Sequence, residues 1–278
     1  MKITLENKYG SIRMSGGGDE NVRICSVTGL GIPAYERRCY SSYDFDGVVE
    51  SVRRVPSRTI SVGGDIIGGR EVYSKMLKIL SYPCEMIIED KDLRRMIHIS
   101  SCEMDFVKKG SIYTRFALNM SCDDPYFYDC EDTVAGLYSR KKLISKDTVL
   151  PAMFSSRVSC ASIKILSERI VEPVITILGK RNSDNDEGRI EIKNAVTGAV
   201  FTLDYVPEDD EIVTIDVMNR TITSDIKGNI INCISDDSYT SDLVIDERGA
   251  EFTTTGYGAT GDITATLIYK NKYLEAMV

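Results

Sequence analysis

The chain has 278 residues, enough for two domains with separate cores, and its 42% hydrophobic and 27% charged residues are the balance of a globular protein. It has no run of about 18 apolar residues to span a membrane. Residues 1–150 hold 22 Lys+Arg against 21 Asp+Glu and residues 151–278 hold 12 against 21, so the acidic second half argues against strong phosphate binding there.

The opening Met1-Lys-Ile-Thr-Leu-Glu-Asn-Lys-Tyr-Gly10 puts acidic and amide residues where a signal peptide has its apolar core, so synthesis and initial residence in a cytoplasm are expected. β-branched or alternating patterns predict strands at residues 2–5, 10–14, 21–27, 47–54, 57–62, 84–89, 94–107 and 112–121. Between Gly69 and Tyr82 the period turns helical. Val72, Tyr73, Met76, Leu77 and Leu80 share one face, and Pro83 ends the helix. That stripe docks on its own sheet by default, and it is also a candidate subunit interface.

Near residue 120, Thr114, Phe116, Leu118 and Met120 alternate with Tyr113, Arg115, Ala117, Asn119 and Ser121, a strand with one apolar face. Pro125 forces Asp124 into an extended conformation and removes a ladder donor, so the strand stops there. Tyr126, Phe127 and Tyr128 follow as a plug, a subunit contact, or an aromatic corner closing a sandwich. Residues 130–155 lose periodicity and carry a charge run that includes Arg140-Lys-Lys142. The domain crossing is placed there, giving domains 1–135 and 136–278, with residues 270–278 packing back on the first. Short strands then recur at 158–166, 172–178, 188–193, 199–204, 211–217, 220–225, 229–234, 242–245, 249–255 and 262–269, the pattern of an antiparallel sandwich.

Residues that could carry chemistry mostly fail on spacing. Gly63-Gly-Asp-Ile-Ile-Gly-Gly69 precedes a helix, but its spacing is not G-x-G-x-x-G and it lacks the Lys-Ser/Thr of a phosphate loop. Eight scattered cysteines without a C-x-x-C pair read as small buried apolar residues rather than a disulfide framework or zinc site. His98, the one histidine, reads as a partly buried strand residue, and no nucleophile motif accompanies it. The loop Ser183-Asp-Asn-Asp-Glu-Gly188 lacks the distal Glu of a calcium loop. Asp123/Asp124 and Asp209/Asp210 are sequence neighbours that point to opposite strand faces. With no tryptophan present, a sugar platform would fall to Tyr257 between glycines. No catalytic residue, cofactor or metal is expected, and an enzyme is not indicated.

The segments Leu5-Glu-Asn-Lys-Tyr-Gly10, Val27-Thr-Gly-Leu-Gly-Ile-Pro33, Arg58-Thr-Ile-Ser-Val62 and Cys122-Asp-Asp-Pro-Tyr-Phe127 occur in this order in the first domain. Ile212-Val-Thr-Ile-Asp-Val-Met-Asn-Arg-Thr-Ile222 and Gly261-Asp-Ile-Thr-Ala-Thr-Leu-Ile-Tyr269 follow in the second. Together they resemble the distal tail protein family of long-tailed bacteriophages, with Asp124, Pro125, Tyr126 and Phe127 matching its domain-ending signature. The resemblance implies a mainly β chain: an N-terminal β-sandwich with one α-helix and a β-hairpin, then a C-terminal galectin-like antiparallel β-sandwich. It also implies a structural hub at the virion tail tip, assembled in the host cytoplasm as a hexameric ring. The implied partners are the major tail tube protein, a tail-tip protein and a receptor-binding protein, with DNA passing through the lumen unbound. Candidate ring contacts are the N-terminal strands, the region 84–107 and the helix 69–82. The alternative is a galectin-like carbohydrate-binding module for host-surface glycans. One departure from the family pattern follows Leu243-Val-Ile-Asp246, where Glu247-Arg-Gly-Ala250 stands in place of a Pro-Gly-Asn-like turn.

Overall fold

The computed structural model describes residues 1–17, 21–41, 43, 46–67, 69–109, 113–139, 161–181, 187–260 and 263–276. The charge run at 140–142, most of the 183–188 loop, residues 158–160 and the pair Gly261-Asp262 lie outside the described residues. The chain divides into two compact units: Met1–Cys130 with Lys272–Val278, and Glu131–Asn271.

The first unit contains β1 (Lys2–Asn7), β2 (Gly10–Ser15), β3 (Val22–Thr28), β4 (Glu36–Tyr40), β5 (Val49–Arg54), β6 (Arg58–Ile66), helix α1 (Gly69–Leu80), β7 (Cys84–Asp90), β8 (Leu93–Ile99), β9 (Ser101–Lys109), β10 (Thr114–Cys122) and β11 (Phe127–Asp129). The main sheet runs β11-β8-β7-β1-β2-β3-β6-β10-β9, with the strand Lys272–Tyr273 outside β11. Its pairs are antiparallel except β2 and β3, which meet in parallel at Ser15 and Arg23. Ser100 alone separates β8 from β9, and its N–H donates to the Ser121 carbonyl at 2.8 Å. The sheet therefore curls so that β8 approaches β10, and its inward side chains share one core.

Alternation along each strand sends one set of side chains inward. Ile3 and Leu5, Ile60 and Val62, Met86 and Ile88, and Phe116, Leu118 and Met120 form a single core. Each such side chain contributes about 1.5–3 kcal/mol on burial. Helix α1 adds Met76, Ile79 and Leu80 to that core, with Val72 and Tyr73 packed against it. Met76 and Leu80 therefore offer no surface to a neighbouring subunit, because the stripe docks on its own sheet; Leu77 is exposed. Asn7 Nδ2 donates to the Ile79 carbonyl at 2.9 Å and Ser81 Oγ to the Leu77 carbonyl at 2.7 Å, which satisfies two acceptors at the helix end before Pro83.

The strand expected at 94–107 is two strands broken at Ser100, and β4 and β11 join those anticipated from sequence. Strands β4 and β5 form a separate two-stranded sheet in which every residue is exposed.

The second unit contains β12 (Thr133–Ser139), β13 (Ala161–Ile163), β14 (Val174–Leu178), β15 (Gly188–Asn194), β16 (Val200–Leu203), β17 (Ile212–Asp216), β18 (Thr221–Ser224), β19 (Gly228–Asn229), β20 (Ala250–Gly258) and β21 (Thr264–Tyr269). One sheet runs β12-β21-β14-β17-β18-β19 and the other β16-β15-β20, with β13 on β20. The end of β12 joins them by pairing in parallel with Thr253 and Thr254. Ile175, Ile177, Val213, Ile215 and Leu267 of one sheet meet Ile190, Ile192, Phe201, Leu203 and Phe252 of the other in one core, a two-layer sandwich. The strand expected at 242–245 is the end of a 3-10 turn, Thr240–Leu243, followed by a single antiparallel bridge between Ile245 and Val171. After it, Asp246 accepts from the N–H of Arg248 at 2.9 Å, and Gly249 turns at φ +84°. A Cβ at Gly249 would lie 2.3 Å from the Ile163 carbonyl oxygen, so this turn requires glycine.

Candidate functional site

Arg58 opens β6 at a core-facing position opposite Cys122 and is 4% exposed. Its Nε–H donates to the Pro125 carbonyl at 2.8 Å. One terminal nitrogen donates to the Gly29 and Gly31 carbonyls at 2.8 and 2.7 Å, and the other to the Leu274 carbonyl at 2.5 Å. The guanidinium carbon sits 4.6 Å from the centroid of the Phe127 ring. Burial lowers its pKa from the ordinary arginine value, but four carbonyl dipoles and an aromatic face stand in for water. Gly29, at φ +89°, comes so close to β6 that a Cβ there would lie 2.3 Å from the Thr59 carbonyl oxygen.

The Asp124-Pro-Tyr-Phe127 run is part of the same clasp. Asp124 Oδ1 accepts from the Tyr126 N–H at 3.2 Å, and Oδ2 accepts from the Tyr128 hydroxyl at 2.5 Å. This turn presents the Pro125 carbonyl to Arg58 and sends Phe127, fully buried, into the core. The clasp also holds residues 272–276. Tyr273 donates to Asp129 Oδ1 at 3.0 Å, Arg95 donates to the Glu275 carbonyl while lying 3.7 Å from the Tyr273 ring centroid, and the Ala276 N–H donates to the Leu30 carbonyl at 2.9 Å. Three first-domain segments singled out by sequence, at 27–33, 58–62 and 122–127, thus meet around one guanidinium.

The β4–β5 hairpin is a different kind of feature. It projects as an arm with Tyr40, Val49 and Val52 exposed and four arginines against two glutamates in its strands. Arg54 pairs with Glu36 at 2.6 Å, Arg37 approaches Glu50 only to 4.0 Å, and Arg53 lies 4.1 Å from the Tyr35 ring centroid. Arg37 and Arg53 are direct cross-strand partners, a like-charge pairing that disfavours an isolated hairpin. Sequence reasoning found β5, where Val49 and Val52 supply β-branched residues, but not β4, whose Glu36-Arg-Arg-Cys-Tyr40 has none.

On the outer face of the main sheet, Ser11, Glu6, Glu85 and His98 form one row across β2, β1, β7 and β8. They line an open cavity of about 870 Å³ together with Asn7, Ser100 and Asp123. His98 is more than half exposed there, 3.7 Å from a Glu85 carboxylate oxygen, because Ile97 and Ile99 take the inward positions. The expected half-buried strand position is corrected accordingly. Next to the lining residues Gly10 and Pro83, the exposed Tyr9 and Tyr82 rings stack at 4.4 Å.

No group of three or more metal-ligating side chains occurs among the described residues. The seven described cysteines are free; Cys84 and Cys122 are buried, but Cys25 and Cys39 are exposed, against the expectation of uniform burial. The Cys84 and Cys102 thiols hydrogen-bond to each other, which raises Cys102 and lowers Cys84, and burial pushes Cys122 up to about 12. Tyr257 is exposed, and the Arg189 guanidinium lies 5.0 Å from its ring centroid, over a face that a sugar would need. In the second unit, Glu211 is 1% exposed and accepts from the Tyr205 and Ser224 hydroxyls and, at 2.6 Å, from the Glu208 N–H. Burial raises its carboxyl pKa, and these hydrogen bonds more than reverse that, leaving it below the usual value.

No protein-family profile matches the sequence. Nor does any curated protein match. Solved structures do match, along the whole chain. The SPP1 Dit protein, described as a paradigm of the hub adsorption apparatus in phages infecting Gram-positive hosts, aligns over 98% of this chain and 99% of its own, with a TM-score of 0.68 at 11% identity. A chain of the phage P2 baseplate in its activated conformation aligns over 99% and 98%, with a TM-score of 0.55 at 12% identity. Curled sheet with helix and arm, then two-layer sandwich: from end to end the chain has the fold of these phage tail hub and baseplate proteins.

Proposed function

We propose that this chain is a structural hub protein of a bacteriophage or phage-derived tail tip, forming a ring of about six copies that joins the tail tube to the tip and host-recognition proteins. The observation that carries the reading is the whole-chain correspondence with SPP1 Dit, which covers both units in order. Closed rings need a heterologous interface in which one patch meets a different patch on the next copy. An exposed arm whose two strands form a sheet of their own supplies one such patch. The near-neutral charge of residues 1–150 suits a lumen through which DNA slides without being retained. The work of such a protein is positional: it presents fixed surfaces to tube, tip and receptor-binding proteins and transforms no substrate. Negative-stain imaging of the purified chain tests this directly. Closed rings with a central opening are expected, and compact single particles in the presence of the tail tube protein would count against the reading.

A further inference from the structure

We infer that the β4–β5 arm of one copy docks its arginine-bearing face into the Glu6–Glu85–Asp123 cavity of the next copy. This inference rests on the ring reading above and names the two surfaces that meet. Both surfaces lie on one chain and face solvent, and within the cavity Glu85 lies 3.7 Å from His98. Every residue of the two arm strands is solvent-exposed, and among the described residues these strands pair only with each other.

The chemistry of the two surfaces is complementary. The cavity contributes the carboxylates of Glu6, Glu85 and Asp123, and no lysine or arginine is among its lining residues. Its rim carries the stacked pair Tyr9 and Tyr82, whose faces favour a cation, and Lys8 Nζ already sits 5.1 Å from the Tyr9 ring centroid. The arm brings Arg37, 64% exposed, and Arg53 opposite it in register. Among the described residues these two guanidinium groups, held side by side, have one carboxylate at 4.0 Å, and carboxylates from outside relieve the repulsion between them. A lone two-stranded hairpin is also marginal in water, so seating it against a second surface stabilises both its shape and the contact. Because arm and cavity are different patches, the contact is head-to-tail and propagates around a ring.

Charge exchange in the full-length chain tests the pairing. One variant carries Arg37→Glu with Arg53→Glu; the other carries Glu6→Arg with Glu85→Arg. Self-association is read by sedimentation and light scattering up to about 1 mM, with thermal melting as the check on folding. Each variant alone is expected to associate at least about tenfold more weakly per reversed charge than the unaltered chain. An equimolar mixture is expected to recover association, since acidic arms then meet basic cavities and basic arms meet acidic ones. Association that survives either reversal, or a mixture that stays monomeric, overturns the pairing while leaving the ring reading standing. An unaltered chain that remains monomeric at every concentration, with and without the tail tube protein, overturns both.

Discussion

The clasp around Arg58 and the β4–β5 arm use the same residue type in opposite ways. At the clasp a guanidinium is 4% exposed, with four carbonyls and a phenyl ring arranged around it, so the arginine holds together strands distant in sequence. In the arm, Arg37 and Arg54 are about two-thirds exposed and their partners are few. A buried charge is tolerable only when the fold has already supplied its ligands. An exposed, crowded one is tolerable in water and rewards any anionic surface that arrives. The first arginine belongs to folding; assembly is the role inferred above for the second set.

That contrast breaks if removing Arg58 proves mild. Arg58→Ala should cost about 3–5 kcal/mol of stability by orphaning several buried carbonyls, read by denaturant unfolding, and Arg58→Lys should recover only part, since an ammonium cannot span the same fork. Glu211→Gln sharpens the comparison from the second unit, where a buried charge is again held by donors, and should cost about 1–3 kcal/mol. Its pH dependence has a definite sign. A carboxyl held below its unfolded value of about 4.3 contributes fully above that pH and loses the contribution as pH falls through the folded pKa. The melting temperature of the unaltered chain should therefore drop in acid more steeply than that of Glu211→Gln. Tyr273→Phe removes one hydrogen bond to Asp129 and should cost about 1 kcal/mol. Arg53→Ala in the arm should change the stability of the isolated chain by less than about 0.5 kcal/mol. A large loss there would mean the arm is part of the fold after all.

The same contrast explains what sequence could reveal. Alternation was plain in β6 and β10 because their inward residues, Ile60, Val62, Phe116, Leu118 and Met120, are all buried. The clasp was visible as separate motifs, though not as one site, because nothing in their spacing says that Arg58 will reach Gly29, Pro125 and Leu274 together. The five-residue helical stripe was found, but periodicity alone could not separate Met76 and Leu80, which enter the core, from exposed Leu77. The break between β8 and β9 did leave a signal, because the inward apolar positions shift from Ile97 and Ile99 to Cys102 and Met104 across Ser100, a change of phase that one continuous strand cannot accommodate. The arm strand Glu36–Tyr40 gave no signal, having neither a buried face nor a β-branched residue, and β12, shared between two sheets, read as an aperiodic linker.

Ring assembly itself is tested most directly by the solution mass of the purified chain, measured by light scattering across a concentration series. A plateau near six times the chain mass of 31.0 kDa is the predicted result. A mass that stays at 31.0 kDa at every concentration, with or without the tail tube protein, would contradict it.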